Sequence, residues 1–362
     1  MLGSVCAIWL AGCASAGGSP GGAFEPATFS AESGELEAVV RGDLLEFEPG
    51  HDRMPKQNLL DRIIFGERRS AKRRLRTPQG MNFDGVTLLV CDQGGSGVAA
   101  ITRADSVVRW MPNLGKESVA PLDVCTDDSG RVFIADSVAG VMCCPALTEA
   151  SVDRWEVLLA PDEARRPVSV AVFGDVLAVG DARAGRIERV EVATGRRLEA
   201  IEYGAGGMRI VSPTGLAFTR DGSLLAADAV QGVVHRFDAE GTPLEPIGRP
   251  GRGEGEFVRP KDVCVIRSGR VVVADAGRQS VLVFDSEGRF LIEVRGGEGW
   301  SGFTMPGGVC AYDIAAGDEA EASERDDRGG DAREFIVVAD TLGAPSLVLV
   351  ELREVKPGGE EH

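Results

Sequence analysis

Six aspartates recur at one place in the chain, each closing a short apolar run: Asp92, Asp136, Asp181, Asp228, Asp275 and Asp340. Carboxylates in such numbers suggest general bases or metal ligands. A repeated Asp at a strand end has a simpler role, accepting hydrogen bonds from backbone N–H groups of the next turn and so marking the repeat. Cys125, Cys264 and Cys310 share a second place, four residues after a proline, where other units carry Asn82, Ala171 and Ala217. A thiol that alternates with alanine is a small buried residue before it is a reactive one. Adjacent Cys143 and Cys144 leave a vicinal disulfide open. Asp123 and Asp262 stand two residues after their prolines, in units two and five, and two opposed carboxylates are too few oxygens for a divalent cation. The only histidines, His51, His235 and His362, share no repeat position, so a three-histidine zinc site is not expected. There is neither a Gly-x-Ser-x-Gly elbow nor a zincin helix motif. No catalytic residue, cofactor or metal ligand is assigned, and a divalent cation on the axis is the minor alternative.

The elements that must position these residues follow from the spacing. The aspartates recur roughly every 45 residues, a period typical of repeat architectures. Pro78, Pro121, Pro167, Pro213, Pro260 and Pro306 stay in phase with them. The last interval is longer and contains an acidic insertion, residues 317–334. One unit, residues 260–299, shows four short strands at 262–266, 270–274, 280–284 and 289–294, separated by Gly or Asp turns. Such a unit cannot bury both faces alone; repetition around an axis does it. The expected fold is all-β, a six-bladed β-propeller of four-stranded antiparallel blades. The sixth unit runs out after its third strand, so an N-terminal strand is expected to complete the last blade. Residues 60–65, Leu-Asp-Arg-Ile-Ile-Phe, read like that strand, while 36–50 are left as an extra strand or a surface helix.

The stretch GRGEGEFVRPKDVCVIRSGRVVVADAGRQSVLVFDSEGRFL resembles the NHL repeat in its Gly-rich entry, Phe-x-x-Pro, Val-Ala-Asp and Val-Phe-Asp-x-x-Gly. The similarity extends over residues 59–352. It departs from the family where Asn and Arg often follow the Asp; Arg186 is the clearest retained match. Leu10-Ala11-Gly12-Cys13 resembles the bacterial lipobox, whose cysteine is acylated. The expected layout is a signal peptide over 1–13, with Cys13 lipidated, then a flexible tether and pre-propeller segment over 14–50. The propeller follows over 51–355, with a tail over 356–362. An ordinary buried N-terminus is the competing reading of the first residues. The layout as a whole looks like the six-bladed NHL-type lipoproteins of bacteria, which implies the cell envelope, facing the periplasm or the cell surface.

The chain has 362 residues and a net charge of -17, against nucleic acid as a general partner. Strand alternation nevertheless gathers basic residues on the side of the four-to-one and two-to-three connections. Arg165, Arg166, Arg183, Arg209, Arg259, Lys261 and Arg278 are the candidate contact residues there. The expectation is a monomeric, lipid-anchored binding or assembly scaffold whose basic face takes a protein or an anionic glycan or lipid. Two alternatives stay open: a metal-dependent lyase or lactonase at the axial funnel, as in related propellers, and a structural envelope component.

Overall fold

A computed structural model describes residues 27–31, 36–43, 75–102, 108–111, 120–145, 154–161, 163–164, 166–296, 300–312, 333–343 and 346–354. Six antiparallel sheets radiate from an axis. The first blade is Pro78–Phe83, Thr87–Asp92, Gly97–Thr102 and Val108–Met111; the second is Pro121–Thr126, Val132–Asp136, Gly140–Cys144 and Glu156–Leu159. Blade three consists of Pro167–Phe173, Val176–Asp181 and Arg186–Glu191. Blade four is Pro213–Phe218, Leu224–Asp228, Val233–Phe237 and Pro243–Ile247, and blade five Pro260–Val265, Val271–Asp275, Ser280–Phe284 and Phe290–Val294. Each innermost strand starts with one of the six prolines and packs beside the next, and Pro306–Ala311 of the sixth blade returns to Pro78–Phe83 of the first. The ring is closed.

Second strands such as Val271–Asp275 are buried at every residue, because neighbouring blades cover both faces. That is why they read as continuous apolar runs rather than as an alternation. The outer strand Phe290–Val294 alternates, since one face meets solvent. Proline suits the innermost strand at its first position, where the missing N–H does least damage.

The sixth blade continues Pro306–Ala311, Arg333–Asp340 and Leu347–Glu354 with two strands from the other end of the chain, Leu36–Asp43 and then Ala27–Ser30. N-terminal closure therefore holds, but the strand is corrected. Leu36–Asp43 occupies the place expected for residues 60–65, which lie outside the described residues. The reason is fit. Leu36–Asp43 equals Leu347–Glu354 in length, and its Leu36, Ala38 and Val40 enter the core beside Ile292, Val294, Val348 and Val350. Arg41 Nε donates to Glu351 Oε2 at 2.6 Å and locks the pair. The sheet thus begins at Ala27, inside the segment expected to be tether.

Two other expectations shift. Blade three has no regular fourth strand; residues 197–203 meet the third strand through the isolated bridges Val190↔Arg197 and Ile187↔Ile201 rather than a continuous ladder. Between them the Arg189 guanidinium takes the Glu199 carbonyl at 2.9 Å, where a ladder would need a backbone donor. The acidic insertion also ends earlier than 334. Arg333 already opens a strand, and Glu334 is buried, accepting from Ser268 N at 2.6 Å and Arg270 Nη1 at 3.0 Å.

Candidate functional site

The repeated aspartates are structural. Asp275 Oδ1 accepts from Gly277 N, Arg278 N and Arg259 N, and Oδ2 from Val258 N, all within 2.8–3.0 Å. One carboxylate thus ties the turn after its own strand to the segment entering the blade. Asp92, Asp136, Asp181, Asp228 and Asp340 hold the entering segment in the same way. All six are buried. At Asp228 burial raises the carboxyl, but the nearby His235 imidazole and the backbone N–H groups of Val211, Gln231 and Val230 outweigh it and bring the carboxyl down to about 2. His235 is enclosed in blade four, its Nε2 3.7 Å from Asp228 Oδ2.

The chemistry collects on the axis, and a backbone irregularity aims it. In blades two to six the ladder between the first two strands slips between the proline and the residue two later, as at Pro260/Asp262. A bulge of this kind turns side chains away from strict alternation. Consecutive Lys261 and Asp262 therefore both face one axial cavity of about 390 Å³. Arg166, Arg259, Gln79 and Thr214 line it as well. A second cavity of about 340 Å³ opens at the other end, bordered by Phe83, Phe173 and Phe218 and by the thiols of Cys125, Cys264 and Cys310. Asp123 and Asp262 line both, so they form the waist between them.

At the waist every carboxylate oxygen is engaged. Asp123 accepts from Val124 N and, across to the next blade, Val170 N, each at 2.9 Å. Asp262 repeats this with Val263 N at 2.9 Å and Val309 N at 2.8 Å. The two aspartates bridge neighbouring innermost strands. Glycine precedes each of them around the ring for space: a Cβ on Gly80 would lie 2.0 Å from Asp123 Oδ1, and one on Gly215 2.5 Å from Asp262 Oδ1. Burial raises both carboxyls, Asp262 to about 7, and the Asp262 charge raises Asp123 further. Burial likewise pushes the Cys125 and Cys310 thiols up, which makes them poor nucleophiles. Among the described residues Cys143 and Cys144 are not joined to one another.

Above the waist, the side chains of Arg166, Arg259 and Lys261 form no ion pair or hydrogen bond among the described residues. Lys261 is half-buried, and burial, then the Arg259 guanidinium, hold its ammonium below the ordinary lysine range. Asp262 opposes that effect and Arg166 adds to it. Of the other candidate contact residues, Arg183 and Arg209 are exposed on neighbouring turns and do not line the cavity. Arg278 is spent on structure: its guanidinium grips Glu293 through Nε at 3.0 Å and Nη2 at 2.8 Å, and Nη1 donates to Gly253 O at 2.9 Å. Arg165 and Cys13 lie outside the described residues, as do His51 and His362. Sequence reasoning placed the cations on one side but missed their convergence with Gln79 and Thr214. The one available signal was the position after each proline, which only the ladder slip turns inward.

A family model for the NHL repeat matches residues 257–284. A comparison with curated proteins gives no match. Among solved structures, a gluconolactonase from Xanthomonas campestris superposes with a TM-score of 0.53 at 16% identity, covering 78% of this chain and 87% of its own. The calcium-binding protein regucalcin from Agrobacterium tumefaciens gives 0.52 at 12%, covering 78% and 92%. Virginiamycin B lyase from Staphylococcus aureus gives 0.50 at 10%, covering 78% and 97%. At these identities the likeness is one of fold. A divalent cation of the kind a calcium-binding relative suggests does not fit the axial residues here. Among the described residues no three His, Cys, Asp or Glu side chains are grouped to hold a metal, and the waist offers two carboxylates already bonded to N–H groups. The chain is a six-bladed β-propeller that carries an NHL repeat in its fifth blade.

Proposed function

We propose that the protein is a lipid-anchored binding propeller of the cell envelope, held at Cys13, whose working surface is the axial mouth above Asp123 and Asp262. Its ligand is a carboxylate- or phosphate-bearing group on a small molecule, glycan, lipid or protein partner. One observation carries this reading: Arg166, Arg259 and Lys261 converge on a cavity of about 390 Å³ without a counter-charge at contact distance among the described residues. Guanidinium groups suit bidentate contacts to planar anions, and low-dielectric walls concentrate the field of the mouth despite a net charge of -17. The gluconolactonase and lyase structures support the fold alone, and among the described residues of this chain no group of three or more His, Cys, Asp or Glu side chains is placed for a metal-dependent reaction.

The test is calorimetric titration with lactate and with inorganic phosphate at low and high salt. The wild-type chain should bind one of them, more weakly as salt rises. Loss of one charge-assisted hydrogen bond is worth about 1.5–3 kcal/mol, so R166Q/R259Q should weaken binding by at least about tenfold. Equal affinity in the double variant would remove the mouth as the working surface.

A further inference from the structure

We propose that Lys261 is a carbonyl-reactive amine that forms a reversible imine with a small keto acid whose carboxylate sits between Arg166 and Arg259. This rests on the reading of the mouth as an anion site and names the ligand class for it.

The choice of residue carries much of the argument. The chain has five lysines (Lys56, Lys72, Lys116, Lys261 and Lys356) among 39 basic residues, and Lys261 alone lies among the described residues. Arginine supplies the charge nearly everywhere else in the propeller, including both neighbours in this cavity. At the equivalent position after the proline, the other blades carry Gln79, Leu122, Val168, Thr214 and Gly307, none of them charged. A guanidinium there would supply the same charge but no nucleophile, because only the lysine amine loses its proton in the accessible range.

The surroundings match what amine addition to a carbonyl requires. The ladder slip at Pro260/Asp262 turns Lys261 into the cavity, where no partner among the described residues holds its nitrogen. Burial and the two guanidinium groups favour the neutral amine, and a lysine beside other cations is the usual form of an activated one. Arg166 and Arg259 line the same cavity and would seat a carboxylate. Asp262, raised to about 7, borders the same space and interacts with Lys261, so it can carry a proton between water and the reacting atoms. The neutral amine's lone pair attacks the carbonyl carbon, a C–N bond forms, and the C=O π pair moves to oxygen, which takes a proton from Asp262. The nitrogen then gives up one proton, returning it to the Asp262 carboxylate. That proton next goes to the hydroxyl, which leaves as water while the nitrogen lone pair completes the C=N bond. The protonated imine nitrogen finally returns its proton to the Asp262 carboxylate, so that amine and ketone become imine and water, with no oxidant or reductant.

The test is trapping. Full-length protein is incubated with pyruvate and sodium cyanoborohydride, then digested and mapped by mass spectrometry. The expected result is a reduced pyruvate adduct on Lys261, formed at least about tenfold faster than on Lys56, Lys72, Lys116 or Lys356. It should disappear in K261R at unchanged melting temperature, slow in R166Q/R259Q, and give way to almost no adduct when acetone, which has no carboxylate, replaces pyruvate. Equal labelling of all five lysines, or none on Lys261, overturns the imine. Lactate has the carboxylate without the ketone and separates the two readings. If lactate or phosphate binds while pyruvate is not trapped, the imine fails and the anion site stands; if none of the three is taken up, both fail.

Discussion

Replacing Asp262 by asparagine should change how stability depends on pH. Asp262 is raised from 3.8 to about 7 in the folded protein, chiefly by burial. Between those two values the native state holds a proton that the unfolded chain has released, so stability must fall as pH rises. The whole shift corresponds to about 4 kcal/mol, of which about 2–3 kcal/mol falls between about pH 5 and pH 8. An asparagine in this place has no charge to bury, but its amide would offer an N–H₂ where Val263 N or Val309 N needs an acceptor, a mismatch worth about 1–3 kcal/mol at any pH. The wild-type protein should therefore be the more stable near pH 5, and the two stabilities should meet or cross by pH 8. Removing the Asp262 charge also relieves Asp123, so D123N/D262N should be flatter still. Urea unfolding followed by circular dichroism across this range measures it. A wild-type stability that is level or rises with pH, or a D262N profile with the wild-type slope, would refute the account of the waist.

Two shorter predictions follow from the same bonding. D275A leaves four backbone N–H groups without their acceptor and should cost at least about 3 kcal/mol in urea unfolding, whereas D275N, which keeps one oxygen, should cost less. R278Q breaks the grip on Glu293 and should lower the melting temperature, yet leave lactate or phosphate affinity at the mouth within about twofold, because Arg278 does not line that cavity. A large affinity loss in R278Q would mean that the anion is bound on the wider basic face instead.

Periodicity settled much of the fold before any coordinates. Prolines and aspartates in phase demand a repeated unit, a four-stranded unit cannot bury itself, and six such units close on an axis. The burial of Cys125, Cys264 and Cys310 was legible as well, because alanine replaces them in other blades. The closing strand was harder to see. Residues 36–43 and 60–65 are both short apolar segments, and choosing between them requires the length and core partners of Leu347–Glu354, which sit at the far end of the chain. The site was less visible again. Strict alternation puts Lys261 and Asp262 on opposite faces, and only the ladder slip turns both toward the axis. Nor could sequence separate Arg278, committed to Glu293, from Arg259, which is not: both follow the same repeat logic, and the difference depends on which carboxylate folds within reach. The sequence by itself determined the number of blades, their turns and their buried faces, since these follow from local pattern repeated along the chain. Tertiary structure alone decided which strand closes the ring and which charges meet on the axis, because both depend on contacts between residues far apart in the chain.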